Sequence, residues 1–384
     1  MHLAMTPEQE KLQLELQAYF AELVTPEIEE EMSGGELGGP KSLEAIRKLG
    51  ADGWLGIGWP KEYGGQGASA IEQYIFYNEA QRAGAPVPFL TINAVAPTIM
   101  KFGSQDQKDF FLPRILRGEV NFAIGYSEPG AGTDLASLTT KAVRDGDEWV
   151  ISGQKIFTSL AEFADYIWLA VRTNPEAKKH KGISIFAVPT STPGFSYTPI
   201  NVMGGARTNA TYYDDVRVPH TALIGEVDRG WDLIVNQLNF ERIALAPPAY
   251  VERQYNLVLN WARETGAIDQ EWVQVNLARV RAKLEFLRLI NWKMAWATEH
   301  DAVNPAEASA TKVFGTEFYT EAYRLLMEIV GPTATMKRGT PQAALRGSLE
   351  RAYQGTLILT FGGGTNEVQR DLIAIFGLGM PRSI

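Results

Sequence analysis

The sequence predicts an α+β fold in three blocks. A helical N-terminal domain covers about 1–120, a small antiparallel β domain of barrel or sandwich type covers 121–228, and a C-terminal helical bundle covers 229–384. Three observations carry this reading. The 384 residues exceed what one hydrophobic core serves, roughly 250–300. Apolar residues in the outer blocks recur at helical spacing. The middle block instead holds short β-branched and aromatic runs separated by turn signals.

Taken in order, Thr6 is a candidate N-cap, with Pro7 at the first helical position and Gln9 at the third. Ser42 is a candidate cap for a second helix with Leu43, Ile46 and Leu49 on one face. Gly64-Gly65-Gln66-Gly67 marks a loop, and Glu72–Ala83 resumes the helical pattern. In the middle block, Trp149–Ile151, Tyr166–Val171 and Ile183–Val188 read as strands, with turns expected at Asp145-Gly146 and Ser152-Gly153. The third block has two long helical patterns, Trp272–Trp296 and Ala306–Val330, free of Pro. Leu277, Val280, Leu284, Leu287 and Ile290 share one face of the first, as in a bundle.

Composition removes several function classes. With 45% hydrophobic and 21% charged residues the chain reads as an ordinary globular protein. A net charge of -9 argues against binding nucleic acid by charge. The absence of cysteine excludes thiolate chemistry and disulfides, and the four histidines are too scattered for a metal site. No apolar run reaches the roughly 18 residues of a membrane span. The first residues lack a basic and apolar leader, so no signal peptide and a cytoplasmic location are expected.

One segment stands out at the entry to the β block: Tyr126-Ser127-Glu128-Pro129-Gly130-Ala131-Gly132-Thr133-Asp134. Its glycines permit close backbone approach to a ligand, and Ser127 and Thr133 offer hydroxyls. On spacing alone it is equally a Gly-rich surface turn. Phe157, by the same standard, reads as a buried strand aromatic, and Glu241 as a helix-surface carboxylate paired with Arg242.

Ser127–Asp134 matches throughout the flavin loop of the acyl-CoA dehydrogenases, Thr/Ser-Glu-Pro-x-Ala-Gly-Ser/Thr-Asp. Four further segments resemble the same family in the same order. Pro60–Gly67 is similar to its Pro-x-x-Tyr-Gly-Gly-x-Gly, and Gly153–Ser159 to the strand beside the isoalloxazine. Asp214–Pro219 resembles the end of the β domain, and Thr365–Arg370 the Thr-x-x-Ile-Gln-Arg signature. The resemblance spans almost the whole chain and implies the acyl-CoA dehydrogenase fold, with FAD as cofactor and an acyl-CoA as substrate. In that chemistry a carboxylate takes the α-proton while flavin N5 takes a hydride from the β-carbon. A flavin ribityl hydroxyl and a backbone N–H polarise the thioester carbonyl.

Carried over to this chain, the resemblance implies flavin contacts at Tyr126, Ser127, Gly132, Thr133, Phe157, Thr158, Ser159, Thr365 and Glu367. It implies substrate contacts at Thr133, Arg242 and Gly363, and no metal. Many members carry the base in Tyr-Glu-Gly-Thr, just before the C-terminal signature. Here that place reads Phe361-Gly362-Gly363-Gly364-Thr365, so Gly363 stands where the carboxylate would be. A minority carry the base on a helix of the C-terminal domain, which Asn239-Phe240-Glu241-Arg242-Ile243-Ala244-Leu245 resembles. Glu241 is thus the expected base, its apolar neighbours raising its pKa toward the working pH. The Gly362–Gly364 run leaves room for a bulky acyl group and offers its own N–H to the thioester.

Two family motifs, which a neighbouring subunit lends to the FAD pyrophosphate and adenosine, are broken. Arg263-Glu264-Thr265-Gly266-Ala267 departs from Arg-x-x-Phe-Gly, and Glu328–Ala334 departs from Gln-x-x-Gly-Gly-x-Gly. This pattern resembles actinobacterial α2β2 acyl-CoA dehydrogenases of steroid side chains, in particular the Glu-bearing subunit. A second homologous subunit and an electron-transfer flavoprotein are the implied partners. A non-catalytic scaffold subunit is the competing reading, as is an acyl-CoA oxidase or flavin monooxygenase on the same fold.

Overall fold

The computed structural model describes residues 4–33, 39–204, 207–240 and 246–382. Helices α1 (Pro7–Leu23), α2 (Pro26–Ser33), α3 (Pro40–Ala51), α4 (Ala70–Ala83), α5 (Ala96–Phe102) and α6 (Gln105–Leu116) come first. Thr6 closes a capping box with Gln9 on α1, and Ser69 does the same with Glu72 on α4. Ser42 does not cap α3. Pro40 starts that helix earlier, and Ser42 is buried inside its first turn. Glu31 of α2 performs the capping instead, accepting from Lys41 N at 3.0 Å and Ser42 N at 2.7 Å.

Eight strands follow: β1 (Phe122–Gly125), β2 (Lys141–Asp145), β3 (Glu148–Lys155), β4 (Tyr166–Arg172), β5 (Ile183–Pro189), β6 (Phe195–Asn201), β7 (Arg207–Pro219) and β8 (Leu223–Ile224). They pair in the order β6-β7-β3-β2-β4-β5-β8. Most pairs are antiparallel, but β1 runs parallel to β4, and β2 meets β4 in parallel at Lys141 and Arg172. Strands β4 and β5 read as continuous apolar runs because both their faces are buried. Trp168, Ala170 and Ile185 point into the core shared with the first helices, while Ile167, Leu169, Phe186 and Val188 face Trp149 and Val216. The expected turn at Ser152-Gly153 is not a turn. Strand β3 continues through it with a register shift, and Gly153 adopts φ +150°. A Cβ there would stand 2.7 Å from Thr140 Oγ1, so the bulge requires glycine.

The chain then returns to helix: α7 (Gly230–Phe240), α8 (Ala249–Glu264), α9 (Glu271–Glu299), α10 (Pro305–Val330), α11 (Ser348–Thr356) and α12 (Asn366–Leu372). Leu277, Val280, Leu284 and Leu287 of α9 are buried against Tyr319, Tyr323 and Leu326 of α10, with Ile290 at the margin. Among the described residues no helix is long and apolar enough to cross a membrane.

Candidate active site

The site begins where β1 ends. Tyr126 leaves the strand, and its hydroxyl donates to Gln237 Oε1 of α7 at 2.5 Å while accepting from Trp168 Nε1 at 3.1 Å. Two residues of the loop look inward, Ala131 into the apolar core and Glu128 into a set of polar partners. Glu128 is 6% exposed and accepts from Thr139 N, Thr139 Oγ1, Thr140 N and Lys155 Nζ at 2.7–2.8 Å. Lys155, fully buried at the end of β3, also donates to Tyr126 O at 3.0 Å. Ile156 N donates to Ser127 O at 2.8 Å. The loop and the end of β3 are therefore fastened to each other by a buried ion pair and a backbone bond.

Burial alone would raise the Glu128 carboxyl, but the Lys155 ammonium and the threonine donors outweigh it and hold it at about 2, against an ordinary 4.5. Burial pulls Lys155 down to about 8, with Glu128 opposing. Both values leave the pair ionised at neutral pH. Replacing Glu128 by Gln strands a buried ammonium, and is expected to cost about 3–5 kcal/mol of stability in denaturant unfolding. Because the folded-state pKa is depressed, the wild-type contribution is present above about 4.5 and is lost as pH falls toward about 2. Equal stability of Glu128→Gln and wild type at pH ~7 would refute this role for the pair.

Beyond Lys155 the backbone turns sharply. Phe157 has φ +59° and is 60% exposed, so it is not a buried strand aromatic. Thr158 turns inward: its N–H donates to Asn209 O at 2.9 Å, and its hydroxyl shares a hydrogen bond with Thr211 at 3.3 Å. The Ser159 hydroxyl shares one with Thr208 at 3.2 Å. Strand β7 thus backs this turn, a role that sequence reading did not assign to it. The other side of the loop is open. A Cβ at Gly130 or Gly132 would meet nothing within 4 Å, and Gly132 and Thr133 are exposed. An exposed aromatic, a bare glycine backbone and flanking hydroxyls suit a planar, polar-edged ring system such as a flavin.

Structure brings Tyr126, Ser127, Thr158 and Ser159 together. Gly363, Thr365 and Glu367 stand on the helical bundle, at the start of α12. Thr365 caps that helix, accepting from Val368 N at 3.2 Å, and Glu367 is exposed in its first turn. Gly363 has φ +68° with open space where a side chain would project. Glu241 and Arg242 lie outside the described residues. Their flanks are anchored. On one side, Asn236 of α7 accepts from Lys101 Nζ at 3.0 Å and Gln237 meets Tyr126. On the other, Asn291 donates to Ala246 O at 3.0 Å, and Tyr319 and Tyr323 donate to Pro247 O and Tyr250 O at 2.7 Å.

Sequence reading also missed Lys312, buried on α10 under the glycine run. Its signal was a single charge within the otherwise uncharged stretch Ala308–Gly315.

Comparison with known proteins covers the chain end to end. Sequence families described as the acyl-CoA dehydrogenase N-terminal, middle and C-terminal domains match residues 6–119, 123–216 and 228–377. Acyl-CoA dehydrogenase FadE26 of Mycobacterium tuberculosis is 58% identical, with all of both chains covered. A chain of the ChsE4-ChsE5 complex from the same organism is 57% identical and superposes with a TM-score of 0.94, again over both whole chains. A chain of the Tcur3481-Tcur3483 steroid ACAD is 52% identical, with a TM-score of 0.96 and full coverage of both.

Proposed function

Because the chain belongs to the acyl-CoA dehydrogenase family, whose members are FAD-dependent flavoproteins, we propose that it is the proton-abstracting subunit of a heteromeric dehydrogenase for steroid side-chain acyl-CoAs. One observation carries the reading most. The flavin loop is intact and locked by Glu128 and Lys155, while the position before the C-terminal signature is Gly363, with no carboxylate to offer. The base is then Glu241, on the segment that follows α7. Its carboxylate takes the α-proton, the α- and β-carbon C–H bonds break, and a trans-2 double bond forms between those carbons. Ser127, Phe157 and Ser159 would hold the flavin, with Tyr126, Gly132 and Thr133 beside it and the buried Thr158 backing the turn, and the flavin would supply the acceptor for the β-hydride. Thr133 also faces the acyl-CoA, Arg242 follows the base in sequence, and Thr365 and Glu367 complete the C-terminal edge. Gly362 N already donates to Ile358 O at 2.7 Å, so the N–H that polarises the thioester oxygen is that of Gly363 or Gly364.

The substrate class follows from two supports. The absence of side chains at Gly362–Gly364 leaves width for a branched or ring-bearing acyl group. Relatives over the full length include a steroid acyl-CoA dehydrogenase. Those relatives are complexes of two named chains, in keeping with the two broken nucleotide motifs of this chain. An electron-transfer flavoprotein is the proposed oxidant of the reduced cofactor. The test is a substrate panel with the purified complex under anaerobic conditions. A steroid side-chain acyl-CoA is expected to exceed straight-chain acyl-CoAs in kcat/KM by about tenfold or more. Preference for a straight chain would overturn the substrate assignment.

Phe157 gives a separate prediction. Exposed as it is, its loss removes little packing, so Phe157→Ala should leave the melting temperature of the flavin-free protein nearly unchanged. Loss of ring contact should cost about 1 kcal/mol of flavin binding, roughly fivefold in Kd. Unaltered flavin affinity in equilibrium dialysis would remove Phe157 from the cofactor site.

A further inference from the structure

Lys312 is a buried cation that the chemistry above does not use. It is 3% exposed on α10. Its ammonium donates to Gly364 O at 2.8 Å, to Asn366 Oδ1 at 2.7 Å and to Thr360 O at 3.4 Å. An ammonium has three protons to donate, and all three acceptors lie on residues 360–366. Those acceptors flank Gly362 and Gly363 and include Gly364 itself. Asn366 is itself buried and held, its Nδ2 donating to Thr316 Oγ1 at 3.1 Å and Glu317 Oε1 at 3.2 Å.

The glycine run has no side chains with which to pack. Gly363 and Gly364 take φ values of +68° and +92°, a region open to many alternative glycine conformations. Something must select one of them. Gly362 N donates to Ile358 O at 2.7 Å on the near side, and Lys312 is the side chain that ties Thr360 O to Gly364 O across the run. Burial lowers its pKa to about 8, with Glu367 and Glu317 opposing, so it remains charged at neutral pH. Glu317 is itself paired with Arg370 at 2.7 Å.

We propose that Lys312 is a positioning residue for the dehydrogenation: it holds the Gly362–Gly364 main chain in the shape that presents a backbone N–H to the thioester oxygen. The inference rests on the proposed reading of that run. Donor placement within a few tenths of an ångström decides the strength of such polarisation, so loosening the run slows chemistry without touching a reacting atom.

The experiment uses the complex with its partner subunit and two variants, Lys312→Met and Lys312→Arg. Two quantities are read besides flavin content and melting temperature. One is the limiting rate of flavin reduction against the acyl-CoA Kd. The other is the long-wavelength charge-transfer band with a 3-thia-acyl-CoA, which forms only when the carbonyl is polarised enough to release the α-proton. Lys312→Met is expected to lower the limiting rate by about tenfold to a hundredfold and to weaken the band, with Kd nearly unchanged. Lys312→Arg keeps the charge but cannot reproduce the three-point geometry, so it should fold and show a smaller loss of both. A native rate and band in either folded variant overturns the proposal. So does a rate loss in which the band per bound ligand is native. If wild-type complex fails to reduce its flavin with any acyl-CoA, the reading of the site falls instead.

Discussion

Replacing Glu241 by Gln is expected to leave the complex yellow and folded while slowing flavin reduction by acyl-CoA about 10²–10⁴-fold or more. The amide has the same shape but cannot accept the α-proton. Gly363 provides no substitute carboxylate, so the loss has no local remedy. Flavin content should not change, because the groups proposed to hold the flavin are on other elements: Ser127, Thr158 and Ser159 are fixed by Glu128, Lys155 and β7. Stopped-flow absorbance separates the two effects. Placing Glu at 363 in the Glu241→Gln background is a sharper test. A Cβ at Gly363 meets nothing within 4 Å, but its φ of +68° strains any side chain, so Gly363→Glu is expected to recover the rate only in part. Near-native reduction by Glu241→Gln alone would remove Glu241 as the base.

The second large effect concerns assembly. Expressed alone, the chain should hold FAD poorly; with a homologous partner it should form an α2β2 complex with about two FAD. The pyrophosphate carries negative charge and favours an Arg and free backbone N–H groups from a neighbour. In this chain α8 ends at Glu264, and Gly266 follows at φ +75° where the family motif continues Arg263 with Phe and Gly. Helix α10 ends at Val330 and is capped by Gly331, and Pro332 opens a short 3-10 turn with no N–H to donate. Two copies of this chain facing each other therefore lack both contributions. A partner with intact motifs supplies them, and FAD binding becomes linked to assembly. Flavin absorbance per protomer beside native mass reads this out. A homotetramer of this chain with about four tightly held FAD would show that the two altered motifs have no bearing on the cofactor.

How much of this was legible in sequence depended on the range of the interactions. The Thr6–Gln9 capping box, the apolar stripe of α9 and the runs of β4 and β5 are local signals, and all appear in the structure. Ser42 misled because its competitor, Glu31, caps α3 from another helix. Ser152-Gly153 misled because the same dipeptide serves a turn or a bulge, and β7 decides which. The parallel pairing of β1 with β4 joins segments some forty residues apart that no local pattern relates. At the site, the loop residues were found by motif, but their supports were not. Glu128 and Lys155 fell inside matched segments without a role, and Asn209, Thr211 and Lys312 in none; all five matter through burial and through partners distant in sequence. Phe157 was visible as a residue, while its exposure and positive φ follow from the turn that β7 imposes.

This chain is proposed to hold the reactive half of the flavin site and to remove two hydrogens from an acyl-CoA. A single anaerobic turnover tests it most directly, with the reconstituted complex mixed with a steroid side-chain acyl-CoA and followed by flavin absorbance and product mass. Bleaching of the flavin and formation of one trans-2-enoyl-CoA per flavin are expected, with both lost when Glu241→Gln is placed in this chain. A flavin that stays oxidised, or a product that forms only when oxygen is admitted and carries its atoms, would contradict it.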